Sequence, residues 1–300
     1  MTPSQPFFSE DFLRRLERLA LAARHAMPGQ TQGERRSPKR GQSVEFADFR
    51  PYVAGDDFRR IDWNAYARLE RFFIKLFVEE EDLTVHFLID NSRSMDWGEP
   101  NKLRFATQVA GALGYIALVG LDRVTVTPVG GNGRRELNAF PPSRGKRQAL
   151  ALFSYLQSLQ SAQNGAAPDP AAQLRTYAAA QHRAGVLVLL SDLLHDGWLE
   201  GLRALASRGF EIHVIHILSP DELSPELTGD LKLVDIEDNS EIEITADYDL
   251  LARYRRELAD WQENIHQFCH SRSISYIPVA STLPLDELLF AWLQRQGVVR

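Results

Sequence analysis

The sequence holds a single cysteine, Cys269. An intrachain disulfide framework is therefore excluded, and a reducing compartment suits the chain. No apolar run approaches the roughly 18 residues that a spanning helix needs. The opening stretch "MTPSQPFFSEDFLRRLERLALAARHAMPG" carries charges through its apolar stripe, unlike a secretory leader. A cytoplasmic protein is expected. The excess of one charge sign over the other is also small: the net value is −6, which gives no general pull toward nucleic acid or membrane. Gly-x-Ser-x-Gly, Walker A and Gly-x-Gly-x-x-Gly patterns do not occur, so the usual signatures of a hydrolase elbow, a P-loop and a dinucleotide fold are missing. What is present is 300 residues, 44% of them hydrophobic. That suffices for one large domain, or for a domain with a subdomain.

Phe12, Leu16, Leu19 and Ala23 recur at helical spacing, with Arg14, Arg15 and Arg18 largely on the other side. This predicts an amphipathic helix from Ser9, its N-cap, to Ala26, stopped by Pro28-Gly29. "GQTQGERRSPKRGQSV" follows and reads as an exposed, mobile loop. Its Arg35, Arg36, Lys39 and Arg40 make either a solvated linker or a docking loop for an acidic partner. From Leu83 strands and helices alternate: "LTVHFLID", a helix over Lys102–Val119, "DRVTVTPV" and "RRELNAF" joined through "GGNG" as a hairpin, then helices at Lys146–Leu159 and Ala171–His182. "GVLVLLSD", the helix "LEGLRALASRG" and "FEIHVIHIL" continue the pattern. "LKLVDIED" and "SEIEIT" read as edge strands. A helix over Tyr248–His270, the strand "SISYIPV" and a helix around Asp286–Arg295 close the chain. This rhythm predicts an α/β fold with a mostly parallel sheet covered on both faces. The division expected is 1–82, an N-terminal helix, basic loop and charged preamble packing on the core, and 83–300, the α/β domain with C-terminal additions.

Ligands of such a sheet collect beyond the carboxyl ends of its strands. "LTVHFLID" ends on Asp90, and Ser92 and Ser94 follow in "NSRSMDWG". If the turn folds back, one carboxylate and two hydroxyls converge. "GVLVLLSD" likewise ends on Asp192, preceded by Ser191. Hard oxygens of this kind suit Mg²⁺ or Mn²⁺. The bland alternative has Asp90, Ser92 and Ser94 bonding to the backbone of their own turn.

Asp-x-Ser-x-Ser after an apolar strand resembles the metal-ion-dependent adhesion site of von Willebrand factor A domains, over about Leu83 to Leu218. The resemblance implies a Rossmann-like sheet of strand order 3-2-1-4-5 with an added antiparallel edge. It further implies that Asp90, Ser92, Ser94 and Asp192 surround an ion. A threonine expected in the loop "QNGAAPDPAAQLR" is missing. Pro168 and Asp169 stand there, and Asp169 is a candidate replacement donor.

Ahead of this, "EFADFRPYVAGDDFRRIDWNAYARLERFFIKLFVEEED" crowds Asp56, Asp57, Arg59, Asp62 and Arg68 around Tyr52 and Trp63. Such mixed charges can form bidentate pairs that fix an irregular segment, and locking the segment in place is the reading preferred over partner contact. "RFFIKLFVEE" alternates as a strand and is expected to hairpin onto "LTVHFLID" through "EEED". In order and spacing, Arg36 to Met95 resembles the bacterial domain-of-unknown-function family fifty-eight. That resemblance implies a cytosolic von Willebrand A-like protein of the soluble form, paired with AAA+ ATPases of the MoxR class in chaperone-like assembly or metal insertion.

Other signals are weaker. His266 and His270 flank Cys269 on a helix without a third ligand, and Cys269 is expected to pack in that helix. His213 and His216, three apart on a strand, point to opposite faces. The expectation is a non-enzymatic, metal-dependent protein-binding module. The rival is a metal-dependent hydrolase or phosphatase using Asp90 and Asp192, with His195 as acid–base and Asp96 as the other available base. A third possibility is a structural adaptor with a degenerate site.

Overall fold

The computed structural model describes residues 6–26, 45–53, 58, 61–78, 83–130, 139–161, 169–181, 184–195, 197–236 and 240–289. The basic loop, Asp56, Asp57, Arg59, the "GGNG" turn, Pro168 and the end of the last predicted helix lie outside these. Helix α1 (Glu10–Ala26) belongs with the larger of two compact units, Met1–Met27 with Leu83–Arg300; the smaller is Pro28–Asp82.

In the smaller unit β1 (Glu45–Pro51), α2 (Trp63–Leu69) and β2 (Phe73–Val78) follow one another. Asp62 starts α2, its carboxylate accepting from the amides of Asn64 at 2.8 Å and Ala65 at 3.2 Å. β2 pairs antiparallel with β1, Ile74 opposite Arg50. The expected hairpin of β2 onto "LTVHFLID" is therefore corrected. Alternation marks a strand without naming its partner, and the "LTVHFLID" strand already has a parallel neighbour on each side. Tyr66 and Phe72 stack at 4.4 Å, with Trp63 edge-on to both.

The larger unit continues with β3 (Thr84–Asp90), α3 (Lys102–Val119), β4 (Arg123–Val129), β5 (Phe140–Arg144), α4 (Ala149–Ser158), α5 (Pro170–Ala180) and β6 (Val186–Ser191). Then come α6 (Gly197–Ser207), β7 (Glu211–Leu218), the short α7 (Pro220–Leu223), β8 (Gly229–Val234), β9 (Glu241–Ala246), α8 (Tyr248–His270) and β10 (Ser275–Ala280). Six strands form one sheet in the order β10-β7-β6-β3-β4-β5, parallel except for β5. Counted along the chain within the sheet, that is 3-2-1-4-5-6 with the third strand as the antiparallel edge. β8 and β9, expected as edge strands, pair with each other as a separate hairpin. Their register sets Leu231 against Ile244 and Leu233 against Ile242, leaving Asp230, Lys232, Glu241 and Glu243 on the other face. A strand with one charged face does not suit a sheet covered on both sides.

Successive side chains of the central strands enter opposite cores. Phe87, Ile89, Val188, Leu190, Ile215 and Ile217 pack with α1, α3 and α4. Leu88, Leu187, Leu189 and Val214 pack with α5, α6 and α8. The Ala- and Gly-rich composition of α3 serves close approach. A Cβ on Gly111 would lie 2.5 Å from the Phe7 ring, and one on Gly114 would lie 2.8 Å from Leu152 Cδ2. α1 is part of this core through Phe12 and Leu16, and Tyr115 donates to Glu17 at 2.5 Å.

Leu16 is 1% exposed. Leu16→Ala is expected to cost about 2–5 kcal/mol in urea unfolding, with the denaturant slope unchanged. A cost near zero would show that α1 contributes nothing to this core.

Candidate metal centre

The turn after β3 does fold back over the strand end. Asp90 Oδ1 accepts from the Ser92 amide at 2.9 Å, and Asp90 Oδ2 accepts from the Ser191 hydroxyl at 2.6 Å. Ser191 Oγ in turn accepts from the Leu193 amide at 2.9 Å. The Ser92 and Ser94 hydroxyls lie 2.9 Å apart. Gly130, at the end of β4, has φ +86°, and a Cβ there would sit 2.4 Å from Asp90 Oδ1. Both the backbone angle and the close approach require glycine.

Asp192 lies one residue past β6, and both carboxylates are about 1% exposed. Sequence reasoning missed the group that meets Asp192. Lys102, first residue of α3 and fully buried, donates from Nζ to Asp192 Oδ2 at 2.8 Å and to Glu222 Oε1 at 2.5 Å. The other oxygen of Glu222 accepts from the Ser219 amide at 2.7 Å, closing a capping box at the start of α7. The Ser219-x-x-Glu222 spacing was a readable cap signal; a lysine opening an apolar helix gave no sign of its burial. Behind Asp192, His216 Nε2 donates to the Asp192 carbonyl at 2.9 Å. A carbonyl only accepts, so the proton is on Nε2, and Nδ1 takes the Tyr276 hydroxyl at 2.6 Å. Burial lowers the His216 pKa to about 4, so the ring is neutral. His213 faces away, toward Glu211 at 3.4 Å.

Asp90, Ser92, Ser94 and Asp192 line one cavity of about 200 Å³, walled by Pro170, Trp198 and, from the residues after β8, Asp235 and Ile236. His195 also lines it, its Nδ1 accepting from the Gly197 amide at 3.0 Å. Asp169 does not line it. That carboxylate caps α5, accepting from the amides of Ala171 at 2.9 Å and Ala172 at 3.2 Å. Asp96 is likewise turned elsewhere, to Asn101 and Ser161, each at 2.9 Å.

Burial first, and then repulsion from Asp192, raises the Asp90 pKa to about 7; the bonds from Ser191 and Ser92 act the other way. Asp90, Ser92, Ser94 and Asp192 offer the cavity hard oxygens, two of them strand-end carboxylates whose mutual repulsion a divalent ion would relieve. The residues present therefore fit Mg²⁺ or Mn²⁺. Without an ion, folding takes up a proton at Asp90 between its ordinary 3.8 and about 7, so this group lowers stability as pH rises through that window. Asp90→Asn is expected to raise the unfolding midpoint in EDTA at pH 8, and to do so far less at pH 5. An Asn variant no more stable at pH 8 would contradict the strain assigned to Asp90.

Residues 48–264 match the family described as Protein of unknown function DUF58. Uncharacterized proteins of Mycobacterium tuberculosis and Mycobacterium bovis are 26% identical over 225 residues, covering 74% of this chain and 70% of theirs. Among solved structures, BatB from Bacteroides thetaiotaomicron is similar with a TM-score of 0.43 and 13% identity, over 72% of this chain and 100% of that one. A von Willebrand factor type A protein from Catenulispora acidiphila gives a TM-score of 0.33 and 17% identity, over 49% of this chain and 35% of that one. The family match runs from the preamble through both aspartates into α8, and the protein accordingly belongs to the DUF58 family, with an α/β fold built on a mostly parallel six-stranded sheet.

Proposed function

We propose that the protein is a metal-dependent protein-binding module, the partner or adaptor of an AAA+ ATPase of the MoxR class in chaperone-like assembly or metal insertion. One observation carries the binding part. Asp90 and Asp192, at the ends of adjacent parallel strands, share a 200 Å³ cavity with the Ser92 and Ser94 hydroxyls. The choice of ATPase rests on family membership alone.

Asp90, Ser92, Ser94 and Asp192 would hold Mg²⁺ or Mn²⁺. When bound, the ion would offer an open coordination position to a partner's Asp or Glu. The chain's own residues supply the rest. Ser191 and the Ser92 amide orient the Asp90 carboxylate, Gly130 leaves room for it, and His216 fixes the main chain at Asp192. Two carboxylates and two neutral hydroxyls leave little net positive charge for activating water, which favours holding a ligand over hydrolysing one.

A hydrolase reading has one observation in its favour, the presence of His195 on the cavity wall. Its Nδ1 already accepts from Gly197, so Nε2 is the nitrogen left for proton transfer. Mg²⁺-dependent turnover of p-nitrophenyl phosphate that disappears in Asp90→Ala would select this reading; equal background rates in both proteins would reject it.

The binding reading is tested by capture from source lysate on tagged protein, with Mg²⁺ or with EDTA. A MoxR-class ATPase is expected on the resin with Mg²⁺ alone. Ser92→Ala combined with Ser94→Ala is expected to reduce that recovery at least about tenfold while leaving circular dichroism unchanged. Equal capture by the double variant or in EDTA would sink the metal-bridged mechanism.

A further inference from the structure

The capture mechanism above needs a site that takes an ion reversibly, and Lys102 bears directly on that. Its ammonium has no exposure, and Asp192 and Glu222 cradle it from two elements, the end of β6 and the start of α7. Asp192 has both oxygens engaged, Oδ2 by Lys102 and Oδ1 by the Leu194 amide at 3.3 Å. Asp90 takes bonds from neutral donors, the Ser191 hydroxyl and the Ser92 amide. The two strand-end carboxylates are thus unequal: Asp192 is paired with a cation, whereas Asp90 bonds only neutral donors among the described residues.

Resting on the metal-site reading, we propose that Lys102 is the affinity-setting residue of the site, an internal cation that competes with the divalent ion for Asp192. An ion on Asp192 must share or displace the ammonium, and the two positive charges repel in a poorly screened interior. Glu222 makes the exchange possible. A buried ammonium stripped of its partner would be severely destabilising. Here Lys102 keeps Glu222, whose other oxygen is pinned by the Ser219 amide. The cradle gives the lysine a place to remain whether Asp192 faces it or the cavity. The consequence is weakened affinity at a site whose oxygens alone would bind more tightly.

The roles predict opposite effects for two substitutions. Lys102→Met removes the competitor and is expected to tighten Mg²⁺ binding roughly ten- to a hundredfold. Glu222→Gln preserves the capping box, for which glutamine serves as well, but leaves Lys102 with Asp192 alone, so Mg²⁺ binding is expected to weaken. In the Lys102→Met background the Glu222→Gln effect should shrink, because Glu222 acts through the lysine.

The experiment is calorimetric titration of MgCl₂ into the full chain for wild type, Asp90→Asn and these three variants. It is paired with the ¹⁵Nζ resonances of lysine-labelled wild type across the same titration. Support is the predicted order of affinities, together with one solvent-protected Nζ signal that moves at saturation. If Mg²⁺ binds wild type and not Asp90→Asn, but Lys102→Met binds no more tightly, the metal reading stands and the competitor role falls. If Mg²⁺ binds neither wild type nor Lys102→Met, the metal reading falls and takes this proposal with it. Should Lys102→Met not fold, an unmoved Nζ signal or unweakened binding by Glu222→Gln overturns the proposal.

Discussion

Lys102 carries an ammonium group to a point without solvent access, where Asp192 and Glu222 hold it between two segments that are far apart in sequence. Much at the carboxyl rim of the sheet follows from that contact. It fixes the start of α3 against the end of β6 and draws in the capping box of α7. It also leaves Asp90 as the strand-end carboxylate that, among the described residues, bonds only neutral donors. A buried ion pair of this kind adds little net stability compared with a well-packed apolar pair, but breaking it is costly. Its value lies in geometry. One cation among three carboxylates holds a negatively charged wall in place without neutralising it.

The fold was legible where periodicity and caps agreed. The helices at Lys102–Val119 and Tyr248–His270 appear with the expected limits, because each is a long pattern opened by a capping Asn101 or Asp247. The central strands were equally plain as β-branched and Leu-rich runs. Pairing was harder to read. β2 has the alternation of a strand, but what it joins depends on which edges remain free, and β3 has none. β8 and β9 were recognised as strands and misplaced as edges of the main sheet, because alternation with one charged face does not say which strand is the partner.

Half of the candidate site could be read along the chain and half could not. Asp90, Ser92 and Ser94 are close in sequence, and a strand end followed by a short polar turn announces them. Asp192 follows from the same rule applied to β6. Lys102, Glu222 and His216 reach the rim from three other elements, and a single sequence does not show which helix start packs on which strand end. Asp169 shows the opposite error. A carboxylate where a donor was expected turns out to cap α5, a role that any Asp directly before a proline-opened helix is well suited to fill.

The parallel register makes β3 a ruler. Thr84 lies opposite Arg123 and Asp90 opposite Val129, with no irregularity between them. Side chains alternate between the two cores at each step, so inserting or deleting a single residue within this strand would turn the carboxylate to the other face of the sheet and drive an apolar neighbour to the rim. Drift in chain length among relatives can therefore accumulate in the connections, whereas the seven residues of Thr84–Asp90 must be kept as a count as well as a composition.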